Sequence, residues 1–285
     1  MTEPTLDFIT IVLNGEPFIS HCISQYYKYA HKIFLIEGAD NRTRDHVSKE
    51  FFTEDGHSTD NTREIIHSFP DPDKKITIIE KDGFWTGGKD EMFSKTNDLI
   101  SSPWVFEVDC DEFYKDEDMV KIFDIINEYP QITGFCFPWR NFWHNLHTIY
   151  GWENKGTFKC DWGEAGWRLL KWELGVSKWT THRPPTVSLS NGNSQTLAWG
   201  PAHLLPRDIF TYHYSDLLPK QNLIKSQYYE IPQWYENIFM KWLTHKEEVE
   251  AYGIYPLGGS GRTMEYRGTH PSEIYSLAKK LGMEI

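Results

Sequence analysis

The chain has 285 residues, a formal net charge of −12 and a high aromatic content, with 12 Trp, 15 Tyr and 17 Phe. So acidic a protein repels nucleic acid and anionic membrane surfaces unless it segregates a basic patch, and no such patch is evident in the sequence. Cys22, Cys110, Cys136 and Cys160 lie far apart with no CxxC pair, which argues against a zinc knuckle or a disulfide framework and makes a reducing compartment the default. The N-terminus has neither a basic stretch nor an apolar one behind it, and nowhere do 18 apolar residues run together, so a cytoplasmic chain without a transmembrane segment is expected. Asn41-Arg42-Thr43 matches a glycosylation sequon, read as accidental in the absence of a secretory signal.

Through residue 130, short apolar runs alternate with amphipathic stretches, the pattern of a mostly parallel sheet flanked by helices. Strands are predicted at residues 8–13, 32–36, 75–79 and 104–108, each rich in β-branched, aromatic and aliphatic side chains. Between the first two, Pro17 opens a helix whose buried stripe is Phe18, Cys22, Tyr26 and Ala30. Ser58 or Thr59 caps a second helix, with Asp60 in its first turn and Ile65, Ile66 and Phe69 on its apolar side. A third follows Gly87-Gly88 and carries Met92, Phe93, Thr96, Leu99 and Ile100; a fourth uses Met119, Ile122, Phe123 and Ile126.

From residue 131 the periodicity weakens and Trp, His, Gly and Pro become frequent, with strands expected at 135–139 and 167–172 between long loops. Long loops in a compact protein tend to carry function. With no repeat or flexible linker, residues 1–130 and 131–285 read as two lobes of one domain.

The segment from Trp104 to Phe113 carries the strongest chemical signal, because an apolar strand runs straight into Asp109, Asp111 and Glu112. Carboxylates so placed sit at the carboxyl end of a strand, where open α/β sheets bind ligands. Residues i and i+2 of an extended chain point the same way, so Asp109 and Asp111 can face one ligand together. Oxygen ligands of this type suit Mg²⁺ or Mn²⁺ bridging protein carboxylates to a diphosphate. An Asp-x-Asp alone is more often a solvated acidic loop, so the weight comes from its context.

That context is an ordered series: Ile9-Thr10-Ile11-Val12-Leu13-Asn14-Gly15-Glu16, Phe34-Leu35-Ile36-Glu37-Gly38-Ala39, Asp55-Gly56-His57-Ser58-Thr59-Asp60-Asn61-Thr62, and Val108-Asp109-Cys110-Asp111-Glu112. Over roughly residues 7–115 it resembles glycosyltransferase family 2 and its relatives, in which a first strand ends in Asn-Glu, Asp-Gly-Ser-Thr-Asp-x-Thr opens a helix, and Asp-x-Asp closes a later strand. The resemblance implies an α/β fold of the GT-A type, with residues 1–130 as the nucleotide-sugar lobe and 131–285 as the acceptor lobe. It implies a Mn²⁺- or Mg²⁺-dependent transfer of a sugar from a UDP-, GDP- or TDP-sugar to a hydroxyl of a glycan or other acceptor, by inverting displacement. Any association with a membrane would then be peripheral, through the acceptor.

The sequence departs from the family pattern by about sixteen residues, 39–54, inserted before Asp55, and by His57 inserted before Ser58. The nucleobase is therefore assigned to Glu37, with Asp55 as the alternate, and Asn14 and Glu16 fall on the donor side. Lys89, in a Gly-Gly-Lys turn, is the implied phosphate contact, with Lys95 behind it and Asn97 as a possible helix-surface residue. Asp109 is assigned to ribose or a metal-bound water and Asp111 to the metal. Many GT-A enzymes use a late His as third ligand; His213 in Phe210-Thr211-Tyr212-His213 is the candidate, ahead of His203 and His182, against the alternative of a hydrogen-bonded core His. For the base that deprotonates the acceptor, Glu164 lies among Trp rings that can platform a sugar, with Asp161 and Asp208 competing. Two other classes fit part of the pattern: a sugar nucleotidyltransferase, for which the first strand offers only one Gly, and a non-catalytic carbohydrate-binding protein built on the Trp-rich half.

Overall fold

The computed structural model describes residues 4–151, 165–183, 185–188, 194–196, 203–204, 206, 208–232, 234–242, 244–245 and 262–285. Its main sheet grows from β1 (Leu6–Val12), which pairs in parallel with β2 (Ala30–Glu37) on one side and β4 (Trp104–Glu107) on the other. The edge strand β3 (Ile76–Ile79) continues the parallel set beyond β2. The β1 sequence LDFITIV is almost wholly buried, as a central parallel strand covered on both faces must be. On one face Phe8 stacks on Tyr26 at 4.8 Å and packs on Phe106 at 5.3 Å, joining strand to helix α1 (Ile19–Tyr27).

Most predicted strands agree with those observed to within two residues. Helix α1 begins at Ile19 rather than Pro17, because Gly15 O takes both Phe18 N–H and Ile19 N–H in a turn that uses up residues 15–18, and Ala30 belongs to β2 instead of the helix. Helix α2 (Asn41–His46), capped by Asp40 Oδ1 on Thr43 N–H, lies inside the insertion and carries the sequon asparagine. Asn61, not Ser58 or Thr59, precedes α3 (Thr62–Ser68), while Asp60 Oδ1 accepts from Thr62 N–H. Helix α4 (Gly88–Ser94) opens at the second Gly of the pair but ends short of the expected Thr96, Leu99 and Ile100, because Lys95, Thr96 and Asn97 N–H turn back to the carbonyls three residues before them.

After β4 the chain turns through the acidic segment into the short β5 (Glu112–Phe113) and α5 (Asp116–Glu128). β6 (Gly134–Trp143), β7 (Thr148–Gly151) and β8 (Ala165–Lys171) extend the sheet, β6 antiparallel to both β7 and β8, and β8 pairing with β4. Past the short strands β9 (Lys178–Thr181), β10 (Thr186–Ser188), β11 (Ser194–Thr196) and β12 (His203–Leu204), β13 (Thr211–Asp216) lies parallel to β6 and antiparallel to β5, setting His213 opposite Glu112 and next to Asn141. Helix α6 (Pro219–Tyr228) then returns toward the carboxyl ends of the strands, and the C-terminal helix Ser272–Leu281 packs on α1 through Ile274, Leu277 and Ala278. Thus the α/β fold read from the sequence holds: a mostly parallel first half flanked by helices, extended by a mixed second half. Cys22 and Cys110 are free thiols, and no described helix is long and apolar enough to cross a membrane.

Candidate active site

Glu107 ends β4 fully buried, and its isolation from water is tolerable only because cations converge on it. Arg168 of β8 places Nη1 3.4 Å from Glu107 Oε1 and Nη2 3.0 Å from Asp109 Oδ2, and the same Nη2 makes a close contact with Glu112 Oε1. Arg183, in the turn after β9 (Lys178–Thr181), contacts Glu107 Oε1 directly, and His182 Nε2 stands 3.3 Å from it. The turn is fixed by His182 N–H on Asp90 Oδ1 at 2.6 Å, a contact to α4. Burial alone would raise all three carboxyls. The charges of Arg183, His182 and Arg168 instead bring Glu107 down to about 2, and Arg168 and Arg183 hold Asp109 below the usual carboxylate range. At Glu112 burial wins, and its carboxyl sits at about 7 despite Arg168.

Asp111 points elsewhere. Tyr214 N–H on Asp111 O, 2.9 Å, ties the loop to β13, and Asp111 Oδ1 then faces His213 Nε2 across 3.8 Å. His213 Nδ1 is 2.7 Å from Asn141 Oδ1, an acceptor, so Nδ1 carries the proton and Nε2 presents a lone pair. Burial, helped by the ammonium of Lys225, pushes His213 down to about 3, so the ring is neutral; burial raises Asp111, with Lys225 opposing. Trp139 stacks on the imidazole at 5.5 Å. Two acceptors that face each other at 3.8 Å cannot bond to one another, but they suit a shared cation about 2 Å from each. The donor set, one carboxylate and one imidazole, fits Mn²⁺.

Of the residues expected to form the site, the structure brings Asp111 and His213 together and turns Asp109 to Arg168. Lys89 lies with its Nζ 5.1 Å from the Tyr228 ring of α6, and its charge acts on Asp109 and His182. Asn14, Glu16 and Glu37 are occupied within the chain. Asn14 Oδ1 accepts from Thr59 N–H at 2.9 Å and Asn14 Nδ2 donates to Phe51 O at 2.5 Å. Glu16 Oε2 takes Asn61 N–H and Nδ2–H. Glu37, wholly buried, takes Ser58 N–H and Oγ–H on Oε1 and His57 on Oε2. Asp55 is exposed. Lys95 pairs with Glu91 at 3.8 Å, and Asn97, in the turn beyond α4 rather than on a helix surface, accepts from Trp179 N–H with its Oδ1 and joins that turn to β9. Asp208 is a surface residue 3.0 Å from Lys121, which holds its carboxyl low. Glu164 and Asp161, and the side chain of His203, lie outside the described residues.

The sequence reading gave no role to Arg168, Arg183 or Lys225. An Arg inside the apolar run Trp167–Trp172 was a signal for the first, because a charge there needs a buried partner. Nothing local marks the other two.

No family profile and no curated protein matches the chain. Among solved structures it is similar to the mannosyltransferase PcManGT from Pyrobaculum calidifontis in complex with GDP-Man and Mn²⁺, at 13% identity over 99% of this chain and 81% of that one, with a TM-score of 0.48. It is also similar to S. aureus TarS residues 1–349, at 9% identity over 88% of this chain and 76% of that one, TM-score 0.41. A third likeness is to glucosyl-3-phosphoglycerate synthase from Mycobacterium tuberculosis in complex with Mn²⁺, UDP and glucosyl-3-phosphoglycerate, at 12% identity over 49% of this chain and 44% of that one, TM-score 0.30.

Proposed function

We propose that the protein is a metal-dependent glycosyltransferase that moves a sugar from a nucleotide diphosphate donor to a hydroxyl acceptor. The observation that carries this reading is the pair Asp111 Oδ1 and His213 Nε2, 3.8 Å apart, with the imidazole neutral, at the carboxyl end of a central parallel strand. A divalent cation held there would neutralise charge on the departing nucleoside diphosphate. Lys89 and Lys225 bring further positive charge to the acidic segment and suit a diphosphate. Asp109, kept ionised by Arg168, is assigned to a ribose hydroxyl rather than to the cation, a role its ionised carboxylate supports.

For the nucleobase, Asp55 is the better supported of the two carboxylates, since Glu37 already accepts three hydrogen bonds from His57 and Ser58. For the base that takes the acceptor proton in an inverting displacement we assign Glu164, supported by its Trp neighbours in the sequence, ahead of Asp161. Asp208 is disfavoured because its ion pair with Lys121 lowers its basicity. Cytoplasmic action on a soluble or lipid-carried glycan is part of the same proposal.

A screen of UDP-, GDP- and TDP-sugars for Mn²⁺-dependent hydrolysis tests the reading without knowledge of the acceptor. One donor should be hydrolysed, and Asp111→Ala should abolish that hydrolysis. Full activity in Asp111→Ala, or nucleotide binding indifferent to metal, would sink it.

A further inference from the structure

Residues 39–54, which lengthen the path from β2 to Asp55, are tied to α6 far along the chain. Ser48 N–H donates to Gln227 Oε1 and Gln227 Nε2 donates to Ser48 Oγ, each at 2.9 Å. Arg42 Nε donates to Tyr228 O at 2.6 Å, and Tyr228 Oη donates to Asp40 Oδ2 at 2.9 Å. Leu223 and Ile224 pack on the apolar cluster of Val47, Phe51 and Phe52. These bonds join positions 179 to 188 residues apart, so the inserted segment is a seat for the C-terminal end of α6.

That end of α6 lands beside Lys89. Lys89 Nζ lies 5.1 Å from the centre of the Tyr228 ring, and the Arg42 guanidinium carbon lies 5.4 Å from the same ring. The two cations differ in what balances them. Arg42 pairs with Glu230 at 3.1 Å, whereas Lys89 makes no ion pair among the described residues, although its neighbours Lys81 and Lys95 share Glu91. An aromatic face attracts an ammonium through its quadrupole without neutralising it. A carboxylate in the same place would cancel the charge that an anionic ligand needs. Half-buried Lys89 is therefore held with its charge available beside the acidic segment, where Asp109 feels it. Lys225 precedes Tyr228 by three residues, on the same face of α6, and its ammonium acts on Asp111 and Asp109.

We propose that Tyr228 is a positioning residue whose ring holds the Lys89 ammonium, with Lys225 one turn away, for the diphosphate of the donor, and that residues 39–54 brace Tyr228 in that place. The inference rests on the reading of the site as one for a nucleotide diphosphate. The bond from Tyr228 Oη to Asp40 fixes the ring, and the bond from Arg42 to Tyr228 O fixes the backbone that carries it. Loss of the ring then acts on the diphosphate through Lys89.

The probe is inorganic pyrophosphate with Mn²⁺, titrated calorimetrically into the full chain. Lys89→Met should weaken its binding about tenfold, and Lys89→Arg, which keeps the charge and the ring contact, should restore most of it. Tyr228→Leu should weaken binding about three- to fivefold by releasing the ammonium. In the Lys89→Met background the same change should cause no further loss. Tyr228→Phe retains the packed ring and loses only the bond to Asp40; its loss should be smaller than that of Tyr228→Leu and should likewise vanish when Lys89 is gone. An equal loss from the Tyr228 changes with and without Lys89 would overturn the proposal and leave Tyr228 a packing residue of α6. Pyrophosphate affinity indifferent to Lys89→Met, or a parent chain that does not bind pyrophosphate, would overturn it as well. The probe carries neither base nor sugar, so the two readings fail separately: donor hydrolysis with additive losses removes the positioning role alone, and the expected pattern without any donor hydrolysis removes glycosyl transfer alone.

Discussion

One hydrogen bond sets the chemistry of His213. With Nδ1–H given to Asn141 Oδ1 at 2.7 Å, the lone pair is fixed on Nε2 and aimed at Asp111. Asn141→Ala frees the ring to take the other tautomer or rotate, and the apparent Mn²⁺ affinity in donor hydrolysis should fall by about 10- to 100-fold. Asn141→Asp keeps the acceptor and should retain that affinity; equal loss in both variants would assign Asn141 a packing role only. Arg168 is the second decisive residue, since it contacts Glu107, Asp109 and Glu112 together. Arg168→Met leaves these charges uncompensated in the interior and should destabilise the fold by about 3–5 kcal/mol in urea unfolding. Adding Glu112→Gln removes the carboxyl that burial already disfavours, so the double variant should recover part of the loss. The acidic residues were legible because they end a strand, a local feature. The meeting of Arg168 and Arg183 with Glu107 was not, because nothing in the chain announces which guanidinium some sixty or more residues later will reach that carboxylate.

Elements were read most securely where packing and local preference agree. The β1 run of β-branched and aromatic residues has no other way to bury both faces, and it is a strand. Helix starts were less legible, because hydrogen bonds from distant residues reassign the capping groups. Ser58 Oγ and N–H go to Glu37, and Thr59 N–H goes to Asn14, so neither residue serves the helix behind them. The same contacts explain how an insertion of this length is tolerated: Asn14, in the left-handed region at φ 53°, holds Phe51 O with Nδ2 and Thr59 N–H with Oδ1. Asn14→Ala loses both bonds and puts a side chain that disfavours that conformation there, for an expected cost of about 2–3 kcal/mol. Asn14→Asp keeps the Oδ1 acceptor and should cost less. Urea unfolding of the two variants checks the order; equal costs would mean that the bond to Phe51 O carries the whole effect. The pairing of β13 with β5, which delivers His213 to Asp111, joins residues about a hundred apart and left no trace in the local pattern.

Across the whole molecule, ionisable groups of both signs are buried, and their signs set how stability depends on pH. Burial takes His144 and His270 down to about 4 and His213 to about 3. Each is neutral in the fold and gains a proton on unfolding, so the stability they contribute is present above 6.5 and lost as pH falls toward those values. Asp118, in the first turn of α5, works in the opposite sense. Burial raises its carboxyl from 3.8 to about 6, against the pull of Lys121. Its contribution is complete below 3.8 and is lost as pH rises through 6, beyond which the fold holds a poorly solvated charge. Glu112, at about 7, shares this sign, but its bond to Arg168 couples any substitution to the site. Asp118→Asn isolates the effect, because the amide has the shape of the acid and no charge. The variant should be more stable than the parent by about 1–3 kcal/mol well above pH 6 and equal to it near pH 3.5. Urea unfolding at the two pH values reads the difference directly. The histidines are unchanged by the substitution, so the two stability curves should diverge only between about pH 4 and 6; a constant offset at every pH would mean that hydrogen bonding at the helix N-terminus, not the buried charge, distinguishes Asp118 from Asn.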